Sequence, residues 1–355
     1  MRVQETVHVP AKLNLFLGVQ PRIIDGKHPL TSVFTTISLC DTLTFNFDTD
    51  AAASLSSETV TLDMIAESEV LSSGFDADKN IVLSAVRMFE DVFGLSQIAA
   101  RSLHITLEKR IPMQAGLGGG SSDAASTLEV LARHANIDKT SPKLIELARE
   151  LGADVPFFLY GGCALMGGFG DELLEELPQP CLHVVLVKPV EGVSTGAVYQ
   201  AFDELFMSSA KGEGLEKAGD LERMENPESV EDPEKLEDLE RAEDPEKSEG
   251  QLTELLDHTP LVKALKSGCD VYAICNAMDN NLEPASHKVL NKIAIIQGLL
   301  NESPEVIKTM LAGSGSVIFG VCADAVSTNR VAERFTTQGY WAHTAVTQLD
   351  FMLPC

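Results

Sequence analysis

The sequence predicts an α+β protein of two domains, and three observations carry that expectation. The chain has 355 residues, about twice the length of an ordinary domain. Residues 7–19 (VHVPAKLNLFLGV) place an apolar side chain at every odd position, the period of a strand with one buried face. Further along, a strand runs through a glycine-rich turn into a segment of helical period, and a second buried strand follows near the middle of the chain.

In the first strand, Val7, Val9, Ala11, Leu13, Leu15, Leu17 and Val19 form the core face, and His8, Pro10, Lys12, Asn14 and Phe16 form the other. Lys12 and Asn14 are therefore expected side by side, projecting away from the core. LHITLEK (103–109) predicts the strand that leads into the glycine run. Ser122 to Ala135 carries helical spacing through Ala125, Leu128, Leu131, Ala132 and Ala135. Another helix is expected over 142–151, ending at Gly152. CLHVVLVKP (181–189) predicts the buried strand that opens the second domain, so the division reads 1–180 and 181–355.

Residues 209–250 interrupt the second domain with an acidic insertion. From 211 to 250 there are 16 Asp and Glu against 6 Lys and Arg, and EDPEKLE (231–237) recurs as EDPEKSE (243–249). Pro227, Pro233 and Pro245 break any helix there, and so little apolar surface cannot offset the entropy of ordering. The expectation is a solvated, disordered loop, with a charged partner-binding arm as the alternative.

Composition narrows the function. The formal charge of −26 repels polyphosphate backbones and anionic lipid, which argues against nucleic-acid and membrane partners. No apolar run approaches the roughly 18 residues of a membrane span, and the first residues have no signal-peptide pattern, so a cytoplasmic protein is expected. Seven scattered cysteines, none spaced C-x-x-C, support neither a zinc site nor a disulfide framework.

The chemistry concentrates in IPMQAGLGGGSSDAAS, residues 111–126. Consecutive glycines let backbone N–H groups approach an anion, and the helix that follows turns its positive end to the same point. The run is neither a Walker A loop nor G-x-G-x-x-G, and by itself also fits a flexible turn. Ser121, Ser122 and Asp123 read equally as N-caps or as groups that reach a phosphate or its Mg²⁺.

PAKLNLFLGV, PMQAGLGGGSSDAAS, LGADVPFFL (151–159) and the second glycine loop LAGSGSVIFG (311–320), in this order, resemble the GHMP small-molecule kinases. NIVLSAVRMF (80–89), STGAVY (194–199) and NNLE (280–283) agree more weakly with the same family. The resemblance covers nearly the whole chain outside 211–250. It is strongest to members acting on a cytidine-diphosphate ester of methylerythritol in the non-mevalonate route to isoprenoids.

That resemblance implies the two-domain GHMP-kinase fold with its active site in the inter-domain cleft. It also implies ATP and Mg²⁺ as cofactors and phosphoryl transfer to the 2-hydroxyl of a small cytidyl substrate. Asp154 would be the base or orienter of the hydroxyl, with Lys12 beside it. Pro112, Gly116, Gly118, Gly119, Gly120, Ser121 and Ser122 would surround the ATP phosphates, with Asn80 near the adenosine. Asn14, His28 and Tyr199 would hold the substrate, His28 at the cytosine edge and Tyr199 on its face, and Gly313 and Gly315 would close the site. No metal ligand is identified, and monomer or homodimer stays open.

One position departs from the family. Asp25-Gly26-Lys27-His28 stands where the family has Asp-Gly-Tyr-His, so one of two aromatics around the base is replaced by Lys27. Its stem would lie over the ring, or its ammonium reach a substrate phosphate. The rival readings are a homoserine- or mevalonate-type kinase of the same family and a catalytically silent nucleotide-binding scaffold.

Overall fold

The structure, a computed structural model, describes residues 2–21, 26–49, 54–66, 79–96, 98, 100–206, 256–268 and 270–347. The acidic segment expected at 209–250 lies outside them, as does Asp25. Two sheets and ten helices make up the described chain.

The first sheet has seven strands: β1 (Arg2–Val19), β2 (Leu30–Thr49), β3 (Val60–Ala66), β4 (Ala100–Lys109), β5 (Cys163–Gly167), β6 (Glu172–Leu177) and β8 (Asp279–Asn280). Their order is β3-β4-β2-β1-β8, with β5 paired to β2 and β6 to β5. The 20-residue β2 serves two partners, β4 along 42–49 and β5 along 32–35, while β1 lies antiparallel to it throughout. The second sheet, in the order β11-β7-β10-β9, contains β7 (His183–Lys188), β9 (Val306–Leu311), β10 (Ile318–Cys322) and β11 (Trp341–Val346), all antiparallel.

Helices α1 (Ile81–Phe93), α2 (Gly119–His134), α3 (Pro142–Leu151) and α4 (Val155–Tyr160) accompany the first sheet. Val82, Val86, Phe89, Leu128 and Leu131 share a core with Leu43, Phe45, Leu103 and Ile105. Then come α5 (195–206), α6 (Thr259–Lys266), α7 (Val271–Ala277), α8 (Glu283–Val289), α9 (Asn291–Asn301) and α10 (Ala325–Thr337). A second core joins Ala11, Leu13 and Leu15 of β1 and Ile111 and Leu117 to Val184, Leu186 and Phe319 of the second sheet.

The alternation in β1 is realised: every odd residue from Val9 to Val19 is buried. The other face is not the exposed one its polarity suggests. Lys12, Asn14 and Phe16 are also buried, because the glycine run lies back on β1, with Lys12 N–H donating to Leu117 O at 2.9 Å. The helix expected from Ser122 starts three residues earlier, at Gly119, since the glycines themselves supply its first turn. Gly152 ends α3, in extended backbone with φ 168°, without the left-handed twist of a usual glycine cap.

Candidate active site

A cavity of about 700 Å³ opens beside the glycine run, a volume in the range of small-molecule sites. Its walls include Lys12 and Asn14 of β1, Asn80, residues 112–121, Asp154, Thr195, Tyr199, Gly313 and Ser314. It thus brings together residues from both halves of the chain.

At its floor stands an ion pair. Lys12 Nζ lies 3.3 Å from Asp154 Oδ2, donates to Asn14 Oδ1 at 2.8 Å and sits 4.8 Å from the centre of the Phe34 ring. Asn14 in turn donates to Ser32 Oγ, and Ser32 to Phe16 O, so both β1 side chains are fixed from below. Asp154 occupies the N-cap position of α4, yet its carboxylate caps no helix N–H. It is about a third exposed, turned to the cavity and to Lys12. A carboxylate free of structural duty beside a buried ammonium can take a proton from a hydroxyl whose negative charge the ammonium then balances.

The glycine run is shaped by close approach. At Gly118 (φ +70°) a Cβ would meet the Phe158 ring at 2.9 Å and Lys12 Cγ at 3.0 Å, so loop, lysine strand and α4 nest together. At Gly116 (φ +75°) a Cβ would fall 1.8 Å from Ala312 O. There the second glycine loop stands on the first: Val317 N–H donates to Ala115 O, and Asn280 Nδ2 holds Leu311 O and Gly313 O. Gly116→Ala is therefore expected to lower Tm by several degrees, because the left-handed backbone alone costs about 1–2 kcal/mol and the clash adds to it. Gly120→Ala, whose Cβ meets only Ile81 at 3.7 Å, should melt like the parent in the same thermal scan.

Beneath the loop lies a buried charge cluster that joins Asp123 to two residues not singled out by the sequence, Asp41 and Lys109. Lys109 Nζ bridges Asp41 Oδ2 and, at 3.0 Å, Asp123 Oδ2. Asp41 Oδ1 also accepts the N–H groups of Arg110 and Ile111 where the chain enters the glycine run. Burial works against the Lys109 ammonium, but Asp123 and Asp41 outweigh it and hold its pKa above the ordinary lysine value. Burial, opposed by Lys109 and reinforced by Asp41, pushes the Asp123 carboxyl up to about 7. Asp123 Oδ1 and Ser122 Oγ are buried without a hydrogen-bond partner among the described residues. A fully buried Asp41 in the middle of β2 and a Lys at the last residue of β4 are ordinary charged residues by type, and neither segment alone signals the cluster.

The other expected residues distribute unevenly. Asn80 and Pro112 line the cavity, Asn80 also capping α1 through Val82 N–H at 2.9 Å. Gly119, Gly120 and Ser121 line it at the start of α2, whereas Ser122 is fully buried behind them. Gly315 supports the second loop from below, against Leu311 and Ile293. Tyr199 faces the cavity, and burial together with the Asp154 charge pushes its hydroxyl up to about 12, keeping it a neutral phenol.

His28 stands beside Tyr199, at the edge of the cavity residues. It sits against Tyr199, with ring centres 5.3 Å apart, its Nδ1 2.8 Å from Gln20 O and its Nε2 3.3 Å from Asp203 Oδ1. Both nitrogens already have partners, so the ring props Tyr199. Lys27 is exposed, its ammonium 5.5 Å from the Phe169 ring centre and outside the cavity wall.

Comparison with known proteins points to one family. Residues 80–162 match the GHMP kinases N terminal domain. The chain is 33% identical over 325 residues to the 4-diphosphocytidyl-2-C-methyl-D-erythritol kinase of Pelotomaculum thermopropionicum, covering 92% of this chain and 91% of that protein. It is 30% identical over 342 residues to the enzyme of the same name from Desulfitobacterium hafniense, covering 96% and 94%. Among solved structures, a 4-(cytidine 5'-diphospho)-2C-methyl-D-erythritol kinase superposes with a TM-score of 0.65 at 26% identity, over 96% of this chain and 98% of that one.

Proposed function

The chain belongs to the 4-diphosphocytidyl-2-C-methyl-D-erythritol kinases of the GHMP kinase family, and from that premise we propose how its cavity performs the reaction. The enzyme is an ATP-dependent phosphotransferase that phosphorylates the 2-hydroxyl of its cytidyl substrate. The observation that carries the site assignment is the Lys12–Asp154 pair, 3.3 Å apart and within reach of the glycine run.

Phosphoryl transfer asks a protein mainly to position two substrates and to balance charge. Gly116, Gly118, Gly119 and Gly120 leave a side-chain-free cradle at the N-terminus of the 16-residue α2, whose backbone N–H groups and dipole suit the phosphates of ATP. Asn80 and Pro112 flank the cradle on the nucleoside side. Asp154 takes the proton as the acceptor oxygen bonds to the γ-phosphorus, and ADP departs with the electrons of the broken P–O bond. Lys12 spends two of its N–H bonds on Asn14 and Asp154 and keeps a third for the transferring phosphoryl oxygens. The hydroxyl of Ser121, which lines the cavity at the start of α2, would hold Mg²⁺ beside this cradle, and the ion would supply charge neutralisation.

The acceptor lies, in this reading, along Asn14, Gly313 and Tyr199, with the cytosine stacked on Tyr199 and His28 fixing that ring from behind. For His28 to read the base edge, one nitrogen must exchange its present partner. A coupled ADP-release assay over the cytidyl substrate, homoserine and mevalonate tests the whole. Turnover is expected with the cytidyl substrate alone, and turnover with another acceptor in its place would overturn the assignment.

Lys27 bears on substrate affinity. Stacking of a base on an aromatic is worth roughly 1–3 kcal/mol, and a cation at an exposed site recovers less. Lys27→Tyr is expected to lower KM for the cytidyl substrate several-fold with KM for ATP unchanged, as added ground-state binding should. If Lys27 instead pairs with a substrate phosphate, Lys27→Ala raises that KM and makes it less sensitive to salt. Steady-state kinetics of both variants at two ionic strengths separate the two roles.

A further inference from the structure

Lys188, the last residue of β7, is a buried lysine that the chemistry above does not use. Among the described residues its ammonium meets no carboxylate; it donates to three successive main-chain carbonyls, Pro189 O at 3.0 Å, Val190 O at 3.4 Å and Glu191 O at 3.3 Å. The Glu191 carboxylate is engaged elsewhere, by Lys292. Burying a lysine without a counter-ion is costly, and it persists only where several acceptors replace water. Burial accordingly lowers its pKa, with the Glu191 charge pulling the other way.

The three carbonyls belong to a turn that two parts of the cavity depend on. Glu191 O, besides taking Lys188, accepts from Ser316 Oγ at 3.1 Å, and Ser316 N–H reaches Gln114 O at 3.4 Å. Gly192 is pressed so closely on Gln114 that a Cβ would lie 2.6 Å from its Oε1. The same turn leads into α5, which carries Thr195 and Tyr199 to the cavity wall, and Thr195 Oγ1 stands 3.1 Å from Ser314 Oγ. Both elements assigned to the acceptor, the second glycine loop and the start of α5, thus hang from one turn gathered around one ammonium. The nucleotide cradle meets this assembly along Gln114, Ala115 and Gly116, and from Gly119 it continues into α2, whose buried face packs in the core of the first sheet.

We propose that Lys188 is a positioning residue of the acceptor side: by drawing in the carbonyls of 189–191 it fixes where Thr195, Tyr199 and the 312–316 loop stand relative to the glycine run. The inference rests on the assignment of that side to the cytidyl substrate, so its test has a part that needs no substrate. In Lys188→Met, amide hydrogen exchange at Gly315, Ser316 and Val317 is expected to speed up while α2 keeps its protection. KM for the cytidyl substrate should rise, or kcat fall, by about tenfold or more, as small misplacements do, with KM for ATP within twofold.

Ser316→Ala cuts the same path at its far end without stranding a charge and should reproduce the pattern more weakly, even if Lys188→Met proves too unstable to assay. Unchanged exchange at 315–317 in both variants would overturn the proposal. So would a uniform loss of protection across both sheets, or equal increases in the two KM values, since a merely structural lysine would produce those. If the parent enzyme fails to turn over the cytidyl substrate while exchange responds as expected, the acceptor assignment is at fault and the positioning role stands.

Discussion

Asp154→Asn is expected to lower kcat by about 10²–10⁴, the usual contribution of a positioned base, and Lys12→Met by about 10²–10³, that of a charge-stabilising donor. Neither variant should unfold the protein. Asp154 is a third exposed, so the carboxylate left behind by Lys12→Met stays hydrated; Asp154→Asn leaves the buried Lys12 ammonium to Asn14 and the new amide oxygen and should cost more stability than Lys12→Met. A thermal scan beside single-turnover kinetics checks both halves of the expectation. Turnover near the parent value in both variants would remove the pair from the mechanism, and a collapse of Tm would make it structural.

The largest loss of stability is expected from Lys109→Met. That substitution leaves the fully buried Asp41 and Asp123 without their shared cation, and breaking a buried ion pair costs about 3–5 kcal/mol. Against a total stability of about 5–15 kcal/mol this is a large share, and Tm should fall on the order of 10 °C. A drop of only a degree or two would mean that water reaches the cluster.

The same cluster sets a pH dependence whose sign is unusual for a carboxylate. Asp123 titrates near 7 in the folded protein against an ordinary value of 3.8. Between those values the folded state binds more protons than the unfolded one, so this group's contribution to stability falls as pH rises from about 4 to 7. Asp123→Asn should flatten that slope in chemical denaturation series. Lys109 acts in the opposite region: its raised pKa stabilises the fold below the ordinary lysine value, and that is lost as pH climbs beyond it.

What could be read from the sequence was what local pattern encodes. The period-2 run of β1, the strand before the glycines and the helix after them all appear where the alternation and the 3.6-residue spacing place them, because one buried face suffices to write each. The pattern failed for the second face of β1. Lys12 and Asn14 look like solvent residues by type, and only the return of the glycine run onto the strand, more than a hundred residues later, buries them.

Lys109 and Asp41, and the pairing of Asp123 with them, escaped for the same reason. Each is an ordinary charged residue in its own segment, and their chemistry exists only after three elements converge. His28 shows the converse: its motif is visible in the sequence, while its contacts to Gln20 and Asp203 are a fact of packing that no spacing records.

The two-residue strand β8 has an implication for synthesis on the ribosome. It pairs in parallel with Phe16 and Leu17 of β1, and next to it Asn281 clasps Val19 through both its N–H and its C=O, across 262 residues of sequence. The second glycine loop, which meets Gly116, is encoded later still. A nascent chain therefore exposes its nucleotide cradle long before the segments that complete and cover it have been made. Contacts of such sequence separation close late, since the entropy of the intervening chain must be overcome first. The active cavity is thus assembled late, and competence to bind both substrates waits on the segment from Asp279 to Val317 that closes onto β1 and the glycine run.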